Sequence, residues 1–355
     1  MLTEEWYELE HDTQDVCGII SVITNLFLMY LILTKSPAAL GSYKWLMLYT
    51  TLFELTYALV NLFAGSSVRT FGSAFIVFHK SRYAHEITEL LAVTYCACYG
   101  FSLAIIASHF IYRYGAVDLE FRKKYISGAK QLLLYIVPFL TGTIWGIICW
   151  VYCGETPERT NYLRNKLMDN YRLMIEDCGY ISAHYWPIDE KGNTYAEFDS
   201  FFGTGLMFII VVKKNTFQGL SIGSVLYFGI GCYCWISEKL ELIESQSDAI
   251  KSLQRQLFYA LVVQSAIPFI LMYVPIGMAF LFPMLNIELN LKYPFIGLTV
   301  AIYPAIDPLP SILIIASYRR GCIDLFKSLR CWRKPAVTGS TTRVDSIAMF
   351  TIDAS

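Results

Sequence analysis

The most informative segment of the chain lies inside a long apolar run and reads Tyr303-Pro304-Ala305-Ile306-Asp307-Pro308-Leu309-Pro310. A helix that crosses a bilayer needs about 20 mostly apolar residues, because it advances about 1.5 Å per residue through about 30 Å of hydrocarbon. An ionisable Asp and three prolines are costly at that depth. Their presence indicates a helix that bends and switches rather than one that only anchors the chain.

Six further apolar runs precede this one. Hydrophobic residues make up 55% of the chain and charged residues 16%, against about 25% charged residues in soluble domains. The sequence therefore predicts an all-α membrane protein, a bundle of seven transmembrane helices followed by a short amphipathic helix. The predicted spans are residues 16–33, 46–63, 87–111, 132–151, 201–235, 257–282 and 293–316. Residues 1–15 are then an extracellular N-terminus, 16–330 the membrane domain with its last helix, and 331–355 a cytoplasmic tail.

Lysine and arginine are distributed unevenly between the two sides of this bundle. In the short connections and the tail, 17 of them fall on the side of the C-terminus and 4 on the opposite side. Short segments rich in Lys and Arg stay in the cytoplasm. This bias predicts that the N-terminus is outside and the tail inside.

The outer loop between spans four and five, residues 152–200, is long and acidic. Two β-prone runs, residues 179–186 and 194–198, flank the turn-forming residues 187–193 and predict a hairpin. Such a hairpin either covers a pocket in the bundle or forms a solvated acidic loop.

The cysteines and histidines indicate no catalytic or metal site. No two of the five histidines have the spacing of metal ligands, so neither an enzyme nor a cofactor is expected. Cys153 and Cys178 both lie on the oxidising outer side and are a candidate disulfide. Cys322 and Cys331 lie just inside the membrane and are candidates for palmitoylation. Most of the other cysteines fall in or beside spans, where Cys behaves as a small apolar residue.

Polar residues placed on the membrane helices carry the functional signal. Steps of three or four residues along span three join Tyr95, Tyr99, Ser102, Ile106, His109 and Arg113 on one face. Such a stripe points into the bundle or decorates a helix interface. Arg113 also suits an anchor at the inner rim. The carboxyl groups of Glu54 and Asp307 each need a partner at depth, and Pro268 and Pro275 predict kinks in span six.

Several stretches recur in order along the chain as they do in one receptor family. They are residues 33–36 with 40–47, 95–98, 109–114, 253–261 with Pro268, 272–275, and 303–310 followed by Tyr318-Arg319. In these stretches the chain resembles the nematode seven-transmembrane chemoreceptors of the Str class. The resemblance implies a G-protein-coupled receptor in the plasma membrane of sensory cilia. It would couple an odorant or pheromone-like small molecule to a heterotrimeric G protein.

The resemblance also implies roles for individual residues. Tyr112-Arg113-Tyr114 corresponds by position to the Asp-Arg-Tyr motif of rhodopsin-like receptors, without the acidic neighbour, and Asp307-Pro308 echoes the Asn-Pro switch of a seventh helix. The expected coupling and switch residues are Glu54, His109, Tyr112, Arg113, Tyr114, Pro268, Pro275, Asp307 and Pro308.

Small-molecule sites favour clefts between bundle helices. We expect a ligand between the outer halves of spans three, five, six and seven, with Tyr95, Tyr99, Tyr273, Thr299 and Tyr303 as candidate lining residues. Each of these tyrosines also suits ordinary packing. The alternative function is a chemically gated ion channel or transporter with seven spans. No series of acidic residues lines a span as a cation pathway would require.

Two polar segments remain. The tail hydroxyls Thr338, Ser340, Thr341, Thr342 and Ser346 are candidate phosphorylation sites for an arrestin-like adaptor, or they belong to a solvated tail. Span five contains Lys213-Lys214 in its middle. Residues 212–218 are interpreted as an insertion foreign to the family pattern. The alternatives are a helix that starts late, near Gly219, and a lysine pair that binds an acidic ligand.

Overall fold

The structure is a computed structural model. It describes residues 2–80, 83–189, 191–212, 229–231, 233–234, 248–288 and 295–332.

Helices dominate the described residues. They are α1 (Leu2–Lys35), α2 (Tyr43–Ala64), α3 (His85–Val117), α4 (Leu133–Cys153), α5 (Pro157–Tyr171), α6 (Phe198–Val212), α7 (Asp248–Pro268), α8 (Val274–Met284), α9 (Phe295–Ile306), α10 (Pro308–Ile314) and α11 (Ala316–Trp332). A π-helical turn, Phe269–Tyr273, joins α7 to α8. Six described stretches are long and apolar enough to cross a membrane. They coincide with predicted spans one to four, six and seven.

Predicted span five is represented by α6. This helix covers the apolar residues before Lys213. The lysine pair and the suspected insertion, apart from Val212, lie outside the described residues. The three interpretations of that segment therefore stay predictions.

The first helix is much longer than the predicted first span. Residues 2–15, expected to be a separate outer segment, continue α1 without a break. Two of their acidic side chains have partners: Glu10 is buried in an ion pair with Arg69, and Glu4 lies 3.6 Å from Arg172. Arg69 also donates to the Tyr171 hydroxyl at 2.8 Å. The N-terminal helix is thus tied to the outer loops.

A three-stranded antiparallel sheet lies over the outer end of the bundle. Its strands are β1 (Ser67–Phe71), β2 (Ala74–Lys80) and β3 (Cys178–His184), in the order β1-β2-β3. The predicted hairpin within residues 179–198 was therefore wrong in its pairing: β3 pairs with β2 from the first outer loop, with Ile76 opposite Ser182. The turn at 187–193 does form, closed by a single bridge between Ile188 and Thr194. The apolar strand β2 buries more surface than the polar residues 194–197 offer, which favours the long-range pairing.

The predicted disulfide is also absent. Cys153 and Cys178 are both free thiols, because they pack in different cores. Cys153 lies with Trp145 and Ile181 beside the bundle, whereas Cys178 lies with Leu163 and Leu167 beneath α5.

Glycines bring α4 very close to α3. A Cβ atom added at Gly142 would lie 2.9 Å from the Ala97 carbonyl oxygen, and one added at Gly146 would lie 3.0 Å from the Ala97 Cβ. Such stripes of small residues let membrane helices approach with their backbones nearly in contact.

Candidate functional site: two cavities and a coupling rim

An apolar cavity of about 30 Å³ lies at the outer end of the bundle. Helices α2, α3, α4, α6 and α8 form its walls, and the sheet forms its roof. The lining residues are aromatic, aliphatic or sulfur-bearing: Tyr57, Val68, Phe75, Val77, Tyr95, Cys96, Tyr99, Trp145, Cys149, Cys153, Ile181, Met207, Ile276 and Phe280. Its volume is close to the share of one water molecule in the liquid, about 30 Å³. A larger guest requires these side chains to move apart.

The predicted ligand residues divide into three groups. Tyr95 and Tyr99 line the outer cavity. Tyr273 packs edge-on against Tyr99 with ring centroids 5.6 Å apart, and Tyr303 lines a second cavity below. Thr299 donates to the carbonyl of Ile296 in its own helix at 3.0 Å and lies outside the linings of both cavities.

The sheet is fastened to the bundle on several sides. Phe75 of β2 stacks on Phe280 of α8 with centroids 4.0 Å apart. The Trp186 indole donates to the Met284 carbonyl at 2.9 Å. The Tyr185 hydroxyl lies 2.8 Å from that of Thr204 in α6. The sheet is therefore a lid over the cavity, and the part of the loop after span four that forms β3 is buried in it.

Two histidines are buried within this lid. His79 lies on β2 and His184 at the end of β3, where its ring stacks on Tyr162 with centroids 4.1 Å apart. Burial lowers the pKa of His79 to about 4. Burial likewise lowers the pKa of His184 to about 4, against the opposing effect of Glu197. Both rings are therefore neutral at physiological pH.

A short polar connection leads from the outer cavity towards the centre of the bundle. The Tyr273 hydroxyl donates to Ser102 Oγ at 3.2 Å, and Ser102 donates to the Tyr99 carbonyl at 2.7 Å. Ser102 also lines the second cavity, of about 40 Å³, together with Glu54, His109 and Asp307. Ser102 therefore contacts Tyr273 of the outer pair and also lines the second cavity.

Glu54 and Asp307 meet in the second cavity. Both are almost fully buried, and both line this cavity. Gln264 of α7 donates to the Asp307 carbonyl at 3.3 Å and accepts from Ser311 at 3.1 Å. The two carboxyl groups that were predicted to need partners therefore line the same polar cavity.

The helix of span seven is interrupted at Asp307, where a bend was predicted, although the Asp307 backbone itself stays helical. Helix α9 ends at Ile306, and α10 begins at Pro308. An α-helix would use the N–H of residue 308 to satisfy the Pro304 carbonyl, but proline has no N–H. Ser21 of α1 donates to that carbonyl instead, at 2.8 Å, and Asn25 donates back to the Ser21 carbonyl at 3.0 Å. A side chain from span one therefore replaces a backbone hydrogen bond that span seven lacks.

Span six changes its helical period between its two predicted prolines. The π-helical turn begins directly after Pro268 and ends two residues before Pro275. Single π turns in α-helices are rare and frequent at functional sites. This turn presents Tyr273 to Tyr99 and Ser102.

At the inner rim, His109 is held from both ring nitrogens. Its Nδ1 lies 3.0 Å from the Tyr43 hydroxyl, and its Nε2 lies 2.6 Å from Thr50 Oγ1. Thr50 donates its own hydrogen to the Leu46 carbonyl at 3.0 Å. This pattern assigns the His109 proton to Nε2 and makes Tyr43 the donor to Nδ1.

Arg113 is buried one turn further in. Its guanidinium lies 4.4 Å from the centre of the Tyr43 ring and donates to Gln254 Oε1 of α7 at 3.0 Å. The two tyrosines on either side of Arg113 pack in different places. The Tyr112 ring packs on the Tyr43 ring with centroids 5.1 Å apart, and the Tyr114 ring packs edge-on against Phe121 with centroids 5.0 Å apart. Arg113 thus joins spans two, three and six.

The amphipathic helix after span seven is present as α11. Cys322 lies on it and is partly buried. The side chain of Cys331 and the five tail hydroxyls lie outside the described part of the chain. Within the described part, no group of His, Cys, Asp and Glu is arranged to hold a metal ion.

Sequence reasoning missed several site residues. The sheet residues Phe75, Val77 and Ile181 were unforeseen because their pairing joins distant parts of the chain. Tyr43 and Gln254 were missed because their polar atoms acquire a role only when Arg113 is placed beside them. The resemblance did mark the stretches that contain both.

Three comparisons relate this arrangement to known proteins. The sequence model of the family described as "Serpentine type 7TM GPCR chemoreceptor Str" matches residues 10–323. "G-protein coupled receptor str-217" of Caenorhabditis elegans is 29% identical over 344 residues, which cover 96% of each chain. "Serpentine receptor class r-10" of the same nematode is 28% identical over 351 residues, 97% of this chain and 98% of the relative. Squid rhodopsin has the same fold, with a TM-score of 0.60 at 12% identity over 94% of this chain and 89% of that one.

Proposed function

Because this chain belongs to the Str family of serpentine seven-transmembrane chemoreceptors, we propose that it binds a small external chemical in the outer cavity and activates a heterotrimeric G protein at the inner rim. The ligand is an odorant or a pheromone-like molecule, and the receptor acts in the plasma membrane of sensory cilia.

The observation that carries this proposal is the connected series of contacts from the outer cavity to Arg113. Tyr99 and Tyr273 separate the outer cavity from Ser102. Ser102 and His109 line the second cavity, and His109 holds Tyr43 against Arg113. A ligand that displaces Tyr99 or Tyr273 favours one packing of this series over another. Such a difference in binding free energy shifts the population of the two packings.

The lining of the outer cavity supports an uncharged ligand. Every described side chain in that lining is neutral, and the polar groups are tyrosine hydroxyls, an indole and thiols. A charged guest would lose its hydration without gaining a counter-charge. The cavity volume favours a compact molecule.

The test is a screen of neutral volatile compounds in cells that carry a reporter of G-protein activation. Tyr99→Ala should lower the potency of an active compound at least about tenfold. Tyr195→Ala, an exposed tyrosine of the outer loop, is the matched control. Equal potency in Tyr99→Ala and the parent receptor would place the ligand elsewhere. Currents evoked in cells without G-protein signalling would instead favour the channel or transporter.

We extend the proposal to the tail. Phosphate on Thr338, Ser340, Thr341, Thr342 and Ser346 would add nearly two negative charges per site and recruit an arrestin-like adaptor. Replacement of all five by Ala should slow desensitisation of the reporter response while leaving its initial size unchanged. Unaltered desensitisation would contradict the role of the tail.

A further inference from the structure

Three thiols converge on one wall of the outer cavity. Cys96 of α3, and Cys149 and Cys153 of α4, all line it, and all three are free. Cys96 packs against the core cluster that contains Cys149 and Cys153. Cys153 follows Cys149 by one helical turn. Cys98, only two residues from Cys96, packs instead in the core around Tyr57 and Tyr95.

The backbones on either side of these thiols are close. A disulfide requires Cα atoms about 4.4–6.8 Å apart, a separation that most membrane helices do not reach. Gly142 and Gly146 remove the side chains that would hold α4 away from α3, so that Ala97, the residue after Cys96, is in van der Waals contact with the α4 backbone. Close helix approach and clustered thiols therefore occur on the same wall of the outer cavity.

An oxidant can also reach these thiols. Cys96 is partly exposed, and the wall it forms belongs to a cavity rather than to close-packed core. The cavity opens, when the lid moves, towards the oxidising outer side of the cell. Hydrogen peroxide has only two heavy atoms, so a small separation of the lining side chains admits it.

We propose that Cys96 and Cys149 are a reversible redox pair whose oxidant is a peroxide. One sulfur attacks a peroxide oxygen, the O–O bond breaks, and a sulfenic acid and one water molecule form. The second sulfur attacks the sulfenic sulfur, so that an S–S bond forms and the S–O bond breaks. The sulfenic hydroxyl takes the hydrogen of the second thiol and leaves as a second water molecule. Two thiols are oxidised and one peroxide is reduced, so no further reactant is needed.

The disulfide would fix α3 to α4 along the wall that faces Tyr99. Formation of the bond does not depend on the proposed signalling function, but its effect on signalling does. Oxidation should lower the potency of any ligand of the outer cavity, and a small thiol reductant should restore it.

The test uses the whole receptor in membranes, treated with hydrogen peroxide, blocked with a thiol alkylating reagent and digested with trypsin. Cys96 and Cys98 share the tryptic peptide 83–113, and Cys149 and Cys153 share the peptide 131–159. Mass spectrometry should show these two peptides joined by a bond that a reductant cleaves. The variants Cys98→Ala and Cys153→Ala should retain the joined pair, whereas Cys96→Ala and Cys149→Ala should lose it.

Retention of the joined pair in Cys149→Ala, or failure of the parent receptor to form it while surface expression is normal, would overturn the inference. Loss in both Cys149→Ala and Cys153→Ala would also overturn it, because Cys153 would then be required. A receptor that forms the bond but never activates a G protein would contradict the proposed function and leave the redox pair standing. A receptor that signals without forming the bond would do the reverse.

Discussion

At the scale of single residues, the inner rim is organised around Arg113. This side chain lacks an acidic neighbour in the sequence, and the structure supplies a neutral partner, Gln254, from span six. A hydrogen bond to a charged group stabilises by about 1.5–3 kcal/mol. The bond therefore contributes to the packing in which spans three and six stay together.

Variants of Gln254 should change basal signalling in opposite directions. Gln254→Ala removes the acceptor and should raise ligand-independent activity about tenfold or more. Gln254→Glu replaces it with a carboxylate of similar size, which pairs with Arg113 and should lower that activity. Arg113→Ala should reach the surface and fail to signal. Basal reporter activity normalised to surface expression measures the effect of all three variants. Equal effects of Ala and Glu at position 254 would contradict a role of the Arg113–Gln254 hydrogen bond in holding the inactive packing.

Ser21 has an equally local role. Its hydroxyl donates a hydrogen bond to the Pro304 carbonyl, for which span seven itself has no backbone donor. Ser21→Ala should lower the free energy of unfolding by about 1–3 kcal/mol, because a buried carbonyl loses its partner. Thr34→Ala, which removes an exposed hydroxyl bonded only within α1, is the control. Thermal unfolding of the detergent-solubilised receptor should show a lower midpoint for Ser21→Ala alone.

At the scale of elements, the lid is the part of the molecule that the sequence predicted least well. Residues 179–186 were expected to be a strand because they are β-prone, and β3 occupies Cys178–His184. Their partner was not foreseen, since Ile76 and Ser182 are brought together only by the placement of spans two to four. The extension of α1 was missed for a related reason: its acidic residues indicate a solvated segment until Arg69 is placed beside Glu10.

The two lid histidines make the stability of the sheet dependent on pH. Their pKa values are lowered from 6.5 to about 4, so the unfolded lid binds more protons than the folded lid between those values. The stability they contribute is complete above pH 6.5 and is lost as the pH falls towards 4. The loss approaches about 3 kcal/mol for each histidine.

Hydrogen exchange of the β2 and β3 amides should therefore accelerate between pH 6.5 and 4 beyond its intrinsic pH dependence. The double variant His79→Gln with His184→Gln should show a flatter profile. The protection of α3 amides in the same samples is the internal reference. A parent profile as flat as that of the variant would show that both rings are protonated without disturbing the sheet.

At the scale of the whole molecule, the apolar runs predicted most of the architecture. Hydrocarbon imposes length and helicity on each span, so composition alone located spans one to four, six and seven. The candidate site was predicted less completely. Stripes on a single helix are visible in the sequence, as for Tyr95, Tyr99, His109 and Arg113. Walls built from several elements, such as Cys96 beside Cys149, depend on how the helices pack.

The orientation of the bundle is testable directly. An epitope tag before Met1 should stain intact cells, because the Lys and Arg bias retains the opposite face in the cytoplasm. A tag after Ser355 should stain only after permeabilisation. The reverse pattern would contradict both the orientation and coupling to a cytoplasmic G protein.

If the ligand of the proposed receptor reaches the outer cavity through the sheet, the lid also governs the timing of the response. A guest that enters through the sheet must wait for Phe75 to leave Phe280 and for Trp186 to leave Met284, and it must wait again to depart. An opening step common to arrival and departure slows both rates by the same factor and leaves the equilibrium constant unchanged. Such a receptor averages the concentration of its stimulus over the interval between openings. Brief fluctuations are smoothed, and weakening either contact of the lid shortens the averaging time without altering the concentration that half-saturates the site.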